Sequence, residues 1–285
     1  MSLIFKKIFA ALALTAAFTL NFGAAAQQYG DKEYQPSVGQ EGKDVIWVPT
    51  PNELIAKMLD MAKLTPQDIH FDLGSGDGRT VIAAAKRGAN ATGVEFNPDM
   101  VALSNRSAQR EGVASKVKFI NADIFKTDFS NATVITLYLL PSLNLKLRPI
   151  ILGMKPGTRV VSHAFTMGEW EADETANVEG RTAYFWVVPA KVEGNWRIEG
   201  GGAGDLSLKQ EFQKVSGSAG GKAITSASLR GDVISFSVDG REYSGRVSGD
   251  RMEGTVKGAS AGKWSRSEEH TSELQSRETI SYAVF

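Results

Sequence analysis

The chain has 285 residues, with 32 basic and 32 acidic side chains, no cysteine and an apolar fraction of 42%. A chain of that length and composition can bury the core of one large or two small domains. Disulfides, a thiol nucleophile and a thiolate metal site are excluded, and the balanced charge argues against non-specific nucleic-acid binding.

At the N-terminus, Lys6 and Lys7 precede an apolar run over residues 8–20 and the small residues Ala24, Ala25 and Ala26. These are the three parts of an export signal, so residues 1–26 are expected to be a cleaved signal peptide. An uncleaved membrane anchor is the alternative. Either way the body lies outside the cytoplasm, in the periplasm, because the lysines stay inside. Residues 27–46 are polar and punctuated by glycine and proline, which predicts a loosely held leader. "WVPTPNELIAKMLDMAKL" then starts a helix, with Thr50 as N-cap, Pro51 first in the helix and Glu53 closing a capping box. Capping alone explains Thr50 and Glu53. Leu54, Ile55, Met58, Leu59 and Ala62 share one face.

Strands and helices alternate from there. "DIHFDL" reads as a strand, residues 79–87 as a helix and "ATGVEF" as a second strand, followed by a helix capped by Asn97 with Pro98 behind it. "KVKFINAD" and "ATVITLYLL" are further strands, and residues 142–154 form a helix kinked at Pro149. "TRVVSHAF" is a fifth strand and "TANVEGRTAYFWVVP" a closing hairpin. This alternation predicts a Rossmann-like α/β fold, a mostly parallel sheet with helices on both faces. Beyond Pro189, "SLKQEFQKV", "DVISFSV", "EYSGRV" and "RMEGTV" are short alternating runs separated by glycines. They predict a small antiparallel all-β domain over residues 191–265. In residues 266–285, "RSEEHTSELQS" and "ISYAVF" resemble the in-frame translation of a sequencing-library adapter. That stretch is expected to be a disordered artefact outside the fold, with the native C-terminus lost beyond about residue 265.

In open α/β sheets ligands sit outside the carboxyl ends of the strands, which points to the turn over residues 72–78. Gly74, Gly76 and Gly78 read G-x-G-x-G, whereas a dinucleotide fingerprint would require glycine at Arg79. Glu95 ends the next strand about twenty residues on, where a carboxylate can take two ribose hydroxyls. The chain has no G-x-x-x-x-G-K-[ST] loop. The site therefore suits a ribose and a group that hugs the backbone, not a polyphosphate.

At these residues the chain resembles the class I, seven-strand S-adenosylmethionine-dependent methyltransferases. "FDLGSGDGR", "GVEFNP" and "INADIF" carry the likeness, which covers a domain over residues 47–190. "VPTP" and "LYLLPSLN" are similar to a protein-lysine N-methyltransferase group with bacterial and mitochondrial members. The resemblance implies S-adenosyl-L-methionine as cofactor. It implies that Gly74, Gly76 and Gly78 let the backbone approach it and that Asp72 orients its amino group. Glu95 would bind the ribose, Asp123 would receive the adenine amino group and Ile124 would lie against the ring. Tyr138, Leu139 and Pro141 would wall the reacting nitrogen, with no metal required. The partner would be a protein lysine, not a nucleic acid, in an exported or membrane-associated setting. One departure is "SHAF", where an acidic residue is expected in place of Ala164. His163, ending the fifth strand, is a candidate for acid–base work, while His70 reads as packing. A non-enzymatic envelope binding module on the same fold is the alternative; a nicotinamide oxidoreductase is opposed by Arg79.

Overall fold

A computed structural model describes residues 29–199, 204–257 and 262–268. In chain order the first domain holds α1 (Asn52–Met61), β1 (Ile69–Leu73), α2 (Arg79–Lys86), β2 (Asn90–Glu95), α3 (Pro98–Arg110) and β3 (Val117–Asn121). It continues with β4 (Val134–Leu137), α4 (Pro141–Leu152), β5 (Arg159–His163) and the hairpin β6 (Glu174–Val178) and β7 (Arg181–Val187). The sheet order is β3-β2-β1-β4-β5-β7-β6, with β1 to β5 parallel and β7 antiparallel to both neighbours. This is the mostly parallel, helix-covered sheet that the alternation of elements predicts.

Alternate strand residues face opposite sides of the sheet. On one face Phe71, Leu73, Ile135, Leu137 and Val160 pack with Leu147 and Ile151 of α4. On the other, Val134, Val161 and Phe185 pack with Leu54 and Met58 of α1, while Ile55 and Leu59 meet Val81 and Ala84 of α2. The α3 cap is as expected: the Asn97 side chain accepts from the amides of Asp99 and Met100, with Pro98 opening the helix. Three expectations need correction. Helix α1 begins at Asn52 behind Pro51 and has no side-chain cap, so Thr50 does not close a capping box. Strand β4 stops at Leu137, leaving Tyr138, Leu139 and Leu140 outside it. The leader is held in place: Asp31 takes Arg106 at 2.7 Å and Arg110 at 3.0 Å.

The second domain runs β8 (Gly194–Glu199), β9 (Asp205–Glu211), β10 (Lys214–Ala219), β11 (Lys222–Ala223), β12 (Thr225–Arg230), β13 (Val233–Val238), β14 (Arg241–Ser248), β15 (Arg251–Lys257) and β16 (Gly262–Glu268). Its order is β11-β10-β9-β8-β16-β15-β14-β13-β12, an up-and-down meander in which β16 returns to β8. Trp196, Leu208, Phe236, Tyr243, Met252 and Val256 form its core, with Phe236 and Tyr243 paired across strands at 5.0 Å. "SLKQEFQKV", expected as one run, is a hairpin turning at Phe212, whose φ is 54°. That turn puts the Phe212 ring 6.4 Å from Trp170 of the first domain. Arg230 to Glu174 (2.6 Å) and Lys214 to Glu171 (2.7 Å) add ion pairs across the same seam. Backbone pairing of β16 continues through Arg266, Ser267 and Glu268, past the boundary expected at residue 265. The expected signal peptide and residues 269–285 lie outside the described residues. No helix among the described residues is long and apolar enough to cross a membrane.

Candidate active site

The turn after β1 is pinned before any ligand is considered. Val94 O accepts from the amides of both Gly74 (2.9 Å) and Ser75 (3.0 Å). Gly74 and Gly76 have φ of 81° and 53°, conformations in which a side chain is strained. A Cβ on Gly74 would come within 2.9 Å of the Leu139 side chain, and one on Gly76 within 2.7 Å of the Trp47 indole nitrogen. Gly78 faces elsewhere. A Cβ there would meet Ser104 of α3 and Phe119 of β3, so Gly78 serves close packing of α2 and not the approach of a ligand.

Beside this turn lies a hollow of about 570 Å³, within the ordinary range for a small-molecule site. Asp72, Gly74, Gly76, Glu95, Asp123, Ile124, Tyr138 and Leu139 all line it. Gly78 and Pro141 do not; Pro141 opens α4 at the surface. Sheet order distributes the rest. The ends of β2 and β3 bring Glu95 and Asp123 to one side, and the ends of β4 and β5 bring Tyr138 and Phe165 to the other.

The roof is a feature that sequence reasoning missed. Residues 39–47 fold back on themselves, with Gly39 and Gln40 bonded to Trp47 and a bridge between Glu41 and Ile46. Lys43 on this hairpin reaches Asp123 Oδ2 at 2.6 Å and sits 4.8 Å from the centre of the Phe96 ring. Its ammonium holds the Asp123 carboxyl below its ordinary value, and Asp123 raises Lys43 in return. Arg79, in the place of a dinucleotide glycine, forms a fork with Asp77, its Nη2 2.6 Å from Oδ2. It also donates to Thr50 O at 3.3 Å and lies over the Tyr29 ring at 4.9 Å. Arg79 thus ties the leader to the glycine turn.

The acids differ in environment. Glu95 accepts from Gly76 N through Oε2 and from Asn97 N through Oε1, both at 2.9 Å, which fixes its plane at the strand end. Asp72 is buried, and burial pushes its carboxyl up to about 7, partly offset by a 2.6 Å bond from Thr136 Oγ1. Thr136 Oγ1 is also 2.8 Å from His70 Nε2, and burial holds His70 down to about 3. His70 is therefore a neutral core residue linked to Asp72 through one hydroxyl.

At the opposite end, the Tyr138 ring lies 3.8 Å from His163 and 6.1 Å from Phe165. His163 Nδ1 is 3.1 Å from Thr50 Oγ1. Burial and then the charge of Arg181 hold His163 down to about 4, so it is neutral at pH 7 and too weak a base to take a proton from an ammonium. Ala164, where an acid was expected, has φ of 66°.

Three acids around bare backbone, beside an apolar aromatic wall, suit an adenosine bearing a charged sulfur and an amino-acid tail. The comparisons with known proteins agree. A family model described as the ANTKMT methyltransferase domain matches residues 72–174. The chain is 38% identical over 151 residues to a protein-lysine N-methyltransferase of Saccharolobus islandicus (strain REY15A), covering 50% of this chain and 94% of that protein. It is 36% identical over 102 residues to the adenine nucleotide translocase lysine N-methyltransferase of Mus musculus, and spans 35% of its own length and 44% of that relative. A solved structure of an RNA methyltransferase from Salinibacter ruber with S-adenosyl-L-homocysteine is 48% identical, with a TM-score of 0.50 over 51% of this chain and 96% of that one. With the Saccharolobus protein matched almost from end to end, the chain belongs to the class I S-adenosylmethionine-dependent methyltransferases, in their lysine N-methyltransferase group.

Proposed function

We propose that this methyltransferase acts on the side-chain nitrogen of a protein lysine. One observation carries the reading: the glycine turn and its acids open directly onto an apolar, aromatic wall formed by Tyr138, Leu139, Leu143 and Phe165, which carries no carboxylate. Glu95 takes the ribose hydroxyls, Asp123 the adenine amino group and Asp72 the ammonium of the cofactor tail, with Ile124 against the adenine ring. Bound there, the cofactor supplies an electrophilic methyl on a sulfur that leaves readily. Positioning then provides most of the rate, and Leu139, packed close over Gly74, fixes the gap beside the turn.

A lysine must lose its proton before it can attack. From a usual pKa near 10.4, that costs about 4 to 5 kcal/mol at pH 7. An apolar wall lowers the cost by penalising the ammonium. Burial raises the Tyr138 phenol and lowers His163, while the charge of Arg181 pulls both down and acts on an entering ammonium in the same sense. The Tyr138 ring also faces the region of the sulfonium, a contact worth about 0.5 to 2 kcal/mol.

The name of the Salinibacter protein raises RNA as an acceptor. Exposed apolar residues at the mouth, Ile46 (59%), Val48 (37%) and Leu140 (42%), favour a protein, because RNA is met by basic or stacking surfaces. The export signal read in residues 1–26 supports work outside the cytoplasm, near or beyond a membrane. Fractionation of expressing cells tests that setting: a protein confined to the cytosol would contradict it. For the acceptor, the purified protein is incubated with methyl-tritiated S-adenosylmethionine and an envelope extract. Acid hydrolysis is expected to return the label as methyl-lysine. Label recovered in nucleosides, or in no product, would contradict the proposal.

A further inference from the structure

The end of the hollow next to β4 is assembled from separate stretches of chain, and two of them depart from a local rule to get there. Thr50 stands where a helix cap belongs, yet α1 has no side-chain cap and the hydroxyl is 3.1 Å from His163 Nδ1. Immediately after β5 the amide of Phe165 donates to His163 O at 2.8 Å around Ala164 at φ 66°, a tight γ-turn of the strained, positive-φ kind. Such strain persists only where its surroundings over-determine it, and it gathers at functional sites. Asn144 of α4 supplies the restraint. Its buried amide nitrogen lies 3.3 Å from Phe165 O and 3.2 Å from Thr166 O, while its Oδ1 is left without a partner. Two main-chain carbonyls of the turn segment are thereby tied to α4. The product of these departures is one arrangement: Tyr138 lines the hollow, Phe165 lines it alongside, and His163 backs the Tyr138 ring without lining the hollow itself.

We propose that His163 is a positioning residue of the methyl-transfer end, holding the plane of Tyr138 against the reacting sulfur and nitrogen while Thr50 fixes its own ring. The inference rests on the cofactor reading given above. A neutral imidazole suits this task, because a cation behind Tyr138 would compete with the sulfonium for the ring's electrons. A strained turn with Ala164 in place of an acid directs the rings, and leaves the methyl-transfer wall to discriminate by shape and charge.

The two forms of the cofactor supply a test that needs no identified acceptor, since S-adenosylmethionine and S-adenosylhomocysteine differ only by the methyl and the charge it gives the sulfur. Calorimetry with both is compared for the parent, His163→Ala, Thr50→Val and Thr50→Ser. His163→Ala is expected to leave S-adenosylhomocysteine within about twofold and to weaken S-adenosylmethionine about fivefold or more. Thr50→Val shifts the ratio the same way by less, and Thr50→Ser, which keeps the hydroxyl, restores it. A change that is equal for both ligands, or absent from both, would overturn the positioning role. If His163→Ala does not fold, the Thr50 pair decides by the same ratio. Failure of the parent to bind S-adenosylhomocysteine would instead remove the cofactor reading on which this rests.

Discussion

The two ends of the hollow are built on different principles. At the adenosine end, Glu95 is fixed by the amides of Asn97, just past its own strand, and Gly76 in the neighbouring turn, and that turn hangs on a single carbonyl of β2. The turn and the acid at the end of β2 lie within about two dozen consecutive residues of a strand–turn–helix–strand unit, and Asp123 and Ile124 join them from the end of the neighbouring β3. At the other end, Tyr138 and Asn144 follow β4 and Phe165 follows β5, so the pairing of those strands brings them together, while Thr50 arrives from before α1 and meets His163. A cofactor shared by a large family can be held by a local unit. An acceptor that varies is met by a wall assembled from afar.

That contrast can be broken from either side. The largest effect is expected from Gly74→Val, which combines a φ of 81° with a Cβ placed 2.9 Å from Leu139. Binding of S-adenosylhomocysteine should fall about a hundredfold or more, measured by calorimetry, with far-ultraviolet circular dichroism unchanged. Next comes pH. Asp72 must be ionised to receive an ammonium, yet burial raises it to about 7. Affinity for S-adenosylhomocysteine should therefore weaken up to about tenfold per unit as pH falls below 7, and Asp72→Asn should flatten that slope. The stability contribution has the opposite sign. A carboxyl raised above its unfolded value favours the fold below about pH 4 and loses that contribution as pH rises through 7. His70 and His163, held down to about 3 and 4, make the fold less stable as pH drops below 6.5. Urea titrations across this range separate folding from binding.

Smaller effects sharpen the comparison. Arg181→Ala should slow methyl transfer to a lysine acceptor by about two- to fivefold at neutral pH and less at high pH, with cofactor affinity unchanged. An equal loss at all pH values would mean that Arg181 does not act on the acceptor's proton. The smallest change belongs to Lys43→Ala. Its pair with Asp123 is partly exposed, so S-adenosylhomocysteine affinity should move by no more than about threefold. A larger change would make the hairpin roof a principal part of the adenosine end.

The sequence rendered the two ends with the same inequality. Glycines at Gly74 and Gly76, the strand-end acid Glu95 and the Asn97 cap are local devices with fixed spacing, and the fold brings all of them to the lining of one hollow. Gly78 was read with the other two as a glycine for the approach of the cofactor, but its direction depends on Ser104 and Phe119, which no spacing reveals. Thr50 followed a capping pattern that tertiary contact overrode, and Tyr138 looked like strand until β4 ended one residue earlier. Lys43 lies in a leader without periodicity and Trp47 directly after it, where nothing in the pattern marks a roof. Phe212 was hidden for a related reason: a turn formed by an aromatic at φ 54° lacks the glycine or asparagine that announces one.

The most direct test of the site is calorimetric titration of S-adenosylhomocysteine into the parent and into Glu95→Ala. Losing two hydrogen bonds to a charged group should weaken binding about a hundredfold or more, so saturable binding by the parent that collapses in Glu95→Ala is the expected result. A parent that shows no binding, or a variant that binds as tightly as the parent, would contradict the placement of the ribose at the end of β2.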